Sequence, residues 1–315
     1  MRAPDAVHGS LPAGASAGPP FAPMALNRPA LPERSPLKVV ALNVAGGADF
    51  HAIADRLMRP PLNDAGSLML CEASWRMPRH GWVEFAPELA AALGMSFVFL
   101  PSFGRAMQDG RVRALGNALL CAQPLEGFRA VPLSGAPHKF QPRRVTGTHQ
   151  GLVATVSVND RPLQLGVVHL ERLWNPAGRA QQMDDFLSAI GREAPAIIGG
   201  DLNTTTLDMD RRYELPRACA AVLARPWRFH HPQSHEPLFD RIEAHGFSIK
   251  GANVPGAPTF TFARLIPPLW RPKLDWIAAR EVAPVNGSAA VVPARTSIIG
   301  RRVSDHDFVM CEFQL

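Results

Sequence analysis

The chain has 315 residues, 46% of them hydrophobic and 19% charged, a globular composition long enough for one large domain or two small ones. No run of about 18 apolar residues occurs, so no membrane-spanning helix is expected, and Cys71, Cys121, Cys219 and Cys311 form no CxxC pair that would signal a structural zinc site. The formal net charge of +6 and the pI near 9.7 suit a phosphate-bearing ligand and lean slightly towards nucleic acid.

Residues 1 to 36, rich in proline and alanine, read as a disordered leader ahead of a single domain spanning 37 to 315. Arg2, Arg28 and Arg34 nearly balance Asp5 and Glu33 there, so the surplus charge belongs to the domain. No basic-then-apolar signal pattern opens the chain. Cys71, Cys121 and Cys311 sit in apolar runs, as buried free thiols do. A cytoplasmic monomer without a protein partner is the expectation.

From residue 37 onward short apolar runs recur as strands should: "LKVVALN", "SLMLCE", "SFVFL", "GNALLC", "GLVATVSV", "LQLGVVH", "AIIGGD", "TFTFA", "LDWIAA" and "FVMCEFQL". In "GLVATVSV" the residues Leu152, Ala154, Val156 and Val158 share one face. The clearest helix follows Asn175, a good N-cap, with Pro176 in its first turn and Met183, Phe186, Leu187 and Ile190 as an i, i+3, i+4, i+7 stripe. A second gathers Leu238, Phe239 and Ile242 and stops near Gly246, and further helices are expected at 48–58, 86–94 and 210–224. So many strands with few helices predict two stacked sheets flanked by helices.

The polar residues fall at the ends of those strands. "LKVVALN" closes on Asn43, "SLMLCE" on Glu72, "LQLGVVH" on His169 and "AIIGGD" on Asp201, with Asn203 two places on. Asp275 opens "LDWIAA", and Asp305 and His306 precede the last strand. Each has an ordinary explanation on its own, as a turn former, a hydrogen-bonded core histidine, or an acid paired with Arg264 or Lys273. Gathered at one rim, however, so many ionisable groups would be costly without a cation among them.

In this order, "LNVAGG", "LCE", "GNALLCAQPL", "VVHLER", "GGDLN", "KLDWI" and "SDH" resemble the endonuclease/exonuclease/phosphatase superfamily, the DNase I-like hydrolases. The resemblance covers about 38 to 315, and "RAQQ" in the helix after His169 is similar to an Arg-x-x-Gln of that family. It implies an α/β four-layer αββα sandwich of two mainly antiparallel sheets, and a divalent cation, Mg²⁺ with Mn²⁺ as a substitute, at the rim. On that resemblance Glu72 is the first metal ligand, with Asp305 and the Asn43 amide oxygen assisting. Asp201 orients or deprotonates the attacking water and Asn203 holds a phosphate oxygen. His306 faces the phosphate with Asp275 setting its tautomer, and His169 hydrogen-bonds the phosphate or protonates the leaving oxygen. Which histidine is the acid, and whether Asp201 binds a second metal, stays open.

One departure narrows the branch. Tyr213 is the only tyrosine and lies beyond "GDLN", whereas apurinic endonucleases of the family carry a tyrosine where this chain has "VVHLERLWN". Arg144, Trp75 and Trp270 are candidate substrate contacts, each weighed against ordinary surface or packing roles, and His230, His231 and His235 read as a loop rather than a second metal cluster. The expected activity is hydrolysis of a phosphodiester, nuclease-like, with a lipid or small-molecule phosphate ester as the alternative. A non-catalytic phosphate or nucleic-acid binding module is the competing class.

Overall fold

The side chains of alternating strand residues sort onto two faces, and that sorting builds the layers. A computed structural model of the protein describes residues 9–10, 22–47, 49–76, 82–106, 112–135, 146–192, 194–206, 220, 224, 226–261, 268–296 and 300–315. In chain order its main elements are β1 (Met24–Leu26), β2 (Leu37–Asn43), α1 (Phe50–Leu57), β3 (Ser67–Trp75) and α2 (Phe85–Leu93). Next come β4 (Ser96–Ala106), β5 (Val112–Cys121), β6 (Leu125–Pro132), β7 (Gln150–Val158), β8 (Arg161–Val167) and α3 (Pro176–Ser188). The last are β9 (Ala196–Asp201), α4 (Leu238–Ala244), β10 (Asp275–Arg280) and β11 (Phe308–Gln314).

One sheet runs Gly9–Ser10, β6, β7, β8, β9, β10; the other runs Ala283–Pro284, β11, β2, β3, β5, β4, β1. Val39, Ala41, Met69, Leu119, Leu152, Ala154, Val156, Ile197, Ile277 and Val309 fill the space between the sheets. The outer face of the second sheet packs Leu42 and Leu70 on Ile53, Leu57, Phe85 and Leu89 of α1 and α2. The outer face of the first packs Val153, Ile198 and Trp276 on Met183, Phe186 and Leu187 of α3 and Leu238 and Ile242 of α4. This is the expected α/β sandwich, with mixed sheets: Gly9–Ser10 lies parallel to β6, and among the longer strands most neighbours are antiparallel, but β2 with β3 and β8 with β9 are parallel. Parallel neighbours need a long crossover, supplied by α1 and α3 respectively. Asn175 caps α3 as expected, its side chain accepting from the Gly178 N–H at 2.8 Å.

Several elements differ from the sequence reading. Met24–Leu26, inside the stretch read as a disordered leader, pairs antiparallel with β4. The Asn27 side chain then locks onto the Leu125 backbone, accepting at 2.8 Å and donating at 2.9 Å. β6 has no clear apolar alternation in the sequence and lies antiparallel beside β7. "TFTFA" contributes only a single bridge, Phe260 to His306, before the chain leaves the described residues. The helix expected at 210–224 lies largely outside them. Among the described residues no helix is long and apolar enough to cross a membrane. Cys71, Cys121 and Cys311 are free and buried, and burial pushes the Cys121 thiol up to about 12, which leaves it unreactive.

Candidate active site

Strand directions put the polar ends at one rim. β2 and β3 run parallel, so Asn43 and Glu72 lie at the same end, and the antiparallel β11 starts there, just after His306. In the other sheet β8 and β9 also end there, and the antiparallel β10 begins with Asp275 directly opposite Asp201. The two rims are stitched together: Asn43 Nδ2 donates to Asp201 Oδ2 at 3.0 Å, and Ser304 Oγ donates to the Asn43 main-chain oxygen at 2.7 Å.

The glycines before Asp201 have a steric reason. Gly200 adopts φ +139°, and a Cβ there would stand 2.1 Å from the Val168 oxygen, so only glycine lets β9 lie this close to the end of β8. β3 does not end at Glu72 as expected. It runs on to Trp75 through an irregularity between Leu70 and Ala73, where Glu72 takes φ +55°. Asn203 takes φ +49°. Left-handed conformations at non-glycine residues cost on the order of 1–3 kcal/mol each, and two of them aim side chains at the rim.

Asp201 is the hub. It is 2% exposed, and its Oδ2 meets Asn43 Nδ2, His169 Nε2 at 3.4 Å and His306 Nε2 at 3.6 Å. Its Oδ1 accepts from the Asn203 N–H at 3.0 Å. Burial raises its pKa, with Asp275 adding to the rise and the two histidines opposing it. For Glu72, burial also works against the charge, but His169, His306 and Asn43 outweigh it and leave the pKa lowered. His306 Nδ1 lies 2.8 Å from Asp275 Oδ2. Burial disfavours its imidazolium, yet Asp275, Asp201 and Asp305 push its pKa up to about 10.

The remaining residues sort as follows. Asn203 Nδ2 donates to the Leu170 oxygen at 2.8 Å, so one of its two N–H bonds is already spent. Asp305 is exposed in the turn before β11. Asp275 pairs with His306, while the Lys273 ammonium lies 4.6 Å from the Trp276 ring and burial lowers its pKa to about 8. Trp75 stacks on Phe99 with ring centroids 6.0 Å apart and joins the packing under α2. Trp270 is 39% exposed in the turn Pro268–Trp270, which packs beside the turn Pro226–Phe229 carrying Trp227, 53% exposed. Arg144 and Arg264 lie outside the described residues. His149 and Glu171, not singled out in the sequence, also reach the rim; Glu171 stood unassigned in "VVHLER".

The raised pKa of His306 predicts a pH dependence of stability. A histidine whose folded pKa exceeds its unfolded value stabilises fully below the unfolded pKa of about 6.5 and loses that contribution as pH rises through the folded one. In EDTA, the melting temperature of the protein is expected to fall between pH 7 and pH 10. His306→Gln should flatten that fall; an unchanged slope would show that His306 carries no such charge.

The family profile of endonuclease/exonuclease/phosphatase proteins matches residues 41–306 of the chain. Among solved structures, an endonuclease/exonuclease/phosphatase from Beutenbergia cavernae is 20% identical with a TM-score of 0.62, covering 90% of this chain and 72% of that one. The human Nocturnin catalytic domain with bound sulfate is 17% identical with a TM-score of 0.56, covering 95% and 99%. D. rerio TDP2 complexed with single-strand DNA product is 18% identical with a TM-score of 0.51, covering 90% and 100%. No curated protein matches the chain. At these identities the solved structures speak for the fold.

Proposed function

Since this chain belongs to the endonuclease/exonuclease/phosphatase family, we propose that it is a divalent-metal-dependent phosphodiesterase, most simply using Mg²⁺. The observation that carries the reading is the convergence of Asn43, His169 and His306 on one oxygen of buried Asp201. A raised pKa makes that carboxylate a proton acceptor closer to neutral pH than a solvated aspartate. Asp201 orients and deprotonates the attacking water. His306, protonated and held by Asp275, donates to the phosphate, and His169 donates to the phosphate or to the leaving oxygen. The free N–H of Asn203 binds a phosphate oxygen without adding charge.

The residues fit a hard cation. Glu72, Asp305 and Asn43 would offer an all-oxygen donor set, Asn43 Oδ1 also accepting from the Ala45 N–H at 2.9 Å, and the lowered pKa of Glu72 favours its carboxylate despite burial. A tighter group, Asp201, Asp275 and His306, has donor atoms within 4.8 Å of one another. Its histidine is held towards the imidazolium by the two carboxylates and then has no lone pair to give a metal, so Glu72 is the better anchor. A bound Mg²⁺ would polarise the phosphoryl oxygens and offset the charge that gathers on them.

For the substrate, the exposed Trp227 and Trp270 precede Arg228 and Arg271 on two packed turns, of which Pro268–Trp270 leads to Asp275 and Pro226–Phe229 accepts from the Lys273 N–H. Exposed tryptophans with an arginine next in sequence offer the chemistry that stacked bases and their phosphates use, which favours a nucleic-acid or nucleotide diester over a lipid. The test is a panel of bis-(p-nitrophenyl) phosphate, p-nitrophenyl phosphate, plasmid DNA and sphingomyelin, each with Mg²⁺ and with EDTA. Diester turnover abolished by EDTA is expected. Turnover indifferent to EDTA would remove the metal, and phosphate binding without turnover of any substrate would favour the binding module.

A further inference from the structure

We infer that His149 and Glu171 form a positioning pair for His169, an inference that rests on the phosphodiesterase reading of the rim. His149 lies just before β7, half-buried, with its ring edge-on between Phe103 and His169 at centroid distances of 4.8 and 5.6 Å. Its Nδ1 is 3.0 Å from the main-chain oxygen of His169. A carbonyl can only accept, so Nδ1 carries a proton and donates. Its Nε2 is 2.9 Å from Glu171 Oε2.

Glu171 is itself fixed. Its Oε1 accepts from the Leu173 N–H at 2.8 Å, and its own N–H donates to Gln182 Oε1 at 2.9 Å. Gln182 Nε2 in turn donates to the Ser134 oxygen at 2.9 Å. The chain of bonds thus runs from α3 through Glu171 and His149 to the backbone of His169.

That backbone needs the support. His169 lies two residues beyond the end of β8, past its last pairing with β7, Val167 with Leu152. The Val168 N–H donates to Gly199 and the Leu170 N–H to Asp201, at 3.1 and 3.0 Å, which holds the segment towards β9. Successive residues of an extended chain face opposite ways, so the His169 carbonyl points to the β7 side, and there His149 takes it. Clamped from both sides, the His169 imidazole keeps its Nε2 3.4 Å from Asp201 Oδ2. A drift of about 1 Å in such a group can cost about 100-fold in rate.

The experiment uses the full chain with Mg²⁺ and bis-(p-nitrophenyl) phosphate. His149→Ala is expected to lower kcat by about 10- to 100-fold with KM within about twofold. His149→Asn puts an amide N–H where Nδ1 was and should recover most of that loss, whereas His149→Gln, whose donor reaches the Nε2 position, should not. In a His169→Ala background, His149→Ala should cost less than about twofold more, because the two act as one unit. A full further loss there, or equal rates for the asparagine and glutamine variants, would overturn the positioning role. If the wild type fails to turn over the diester, the phosphodiesterase reading fails, and NMR of ring-¹⁵N histidine decides the pair on its own. The His169 ring signal should shift and broaden in His149→Ala; an unchanged signal would overturn the inference.

Discussion

Asp201→Asn is expected to lower diester turnover by at least about a thousandfold while the protein stays folded, with a melting temperature within about 5 °C of wild type. The rate loss has two sources. The amide cannot take a proton from water at neutral pH. With Oδ1 still accepting from the Asn203 N–H, the new NH₂ would also sit where Oδ2 met Asn43 Nδ2 and two imidazoles, donor against donors. Stability moves little because opposing effects meet. A carboxyl whose folded pKa lies above its unfolded value loses stability as pH rises through that interval, so at neutral pH the Asp201 charge is a net cost that the amide removes. Against this stand the lost attractions to His169 and His306. Turnover by Asp201→Asn within about tenfold of wild type would rule out Asp201 as the proton acceptor.

The largest stability loss is expected at the buried pair Arg179–Glu236, both side chains wholly buried with Nη2 and Oε1 2.5 Å apart. Arg179 also donates to the Trp174 oxygen, and Glu236 Oε1 accepts from the Thr206 N–H at 2.7 Å. The pair therefore ties the start of α3 to the chain leaving β9 and to the loop before α4. Burial raises the Glu236 pKa even though Arg179 pulls it down, so the carboxylate is already costly with its partner in place. Arg179→Met leaves that acid buried and unpaired and should cost about 3–5 kcal/mol in urea unfolding. Arg179→Met with Glu236→Leu should recover most of the loss, since an apolar pair needs no desolvation of charge. Equal destabilisation by the single and double variants would mean that shape, and not the charge left behind, sets the cost. Turnover should fall too, because Thr206 stands three residues from Asn203.

Both results bear on how the rim is kept. The residues proposed to react sit at strand ends, where strand pairing runs out, and a surrounding set of buried polar contacts takes its place. Arg179 and Gln182, the arginine and glutamine of "RAQQ", serve that purpose on opposite sides: one reaches the loop after Asn203, the other the backbone of Glu171. Their place in the sequence hinted at relevance, but their partners are 57 and 11 residues away.

What could be read along the chain was local in origin. Alternation in "GLVATVSV" assigned β7 and its inward face, the cap at Asn175 and the stripe from Met183 to Ile190 assigned α3, and apolar runs closing on Asn43, His169 and Asp201 marked a polar rim. These patterns follow from the two-residue period of strands and the 3.6-residue period of helices, which any short segment displays. The bend that carries β3 past Glu72, the edge strand Met24–Leu26, the pairing of β6 and the His149–Glu171 contact left no such mark. Each depends on where another segment lies: β5 opposite β3, β4 beside Met24, β7 beside β6, and the end of β8 beside His149. Spacing along a chain records only what neighbours in sequence require, whereas the angle of a side chain at the rim is set by strands that pair from far along the chain, Ala41 with Val309 at the extreme.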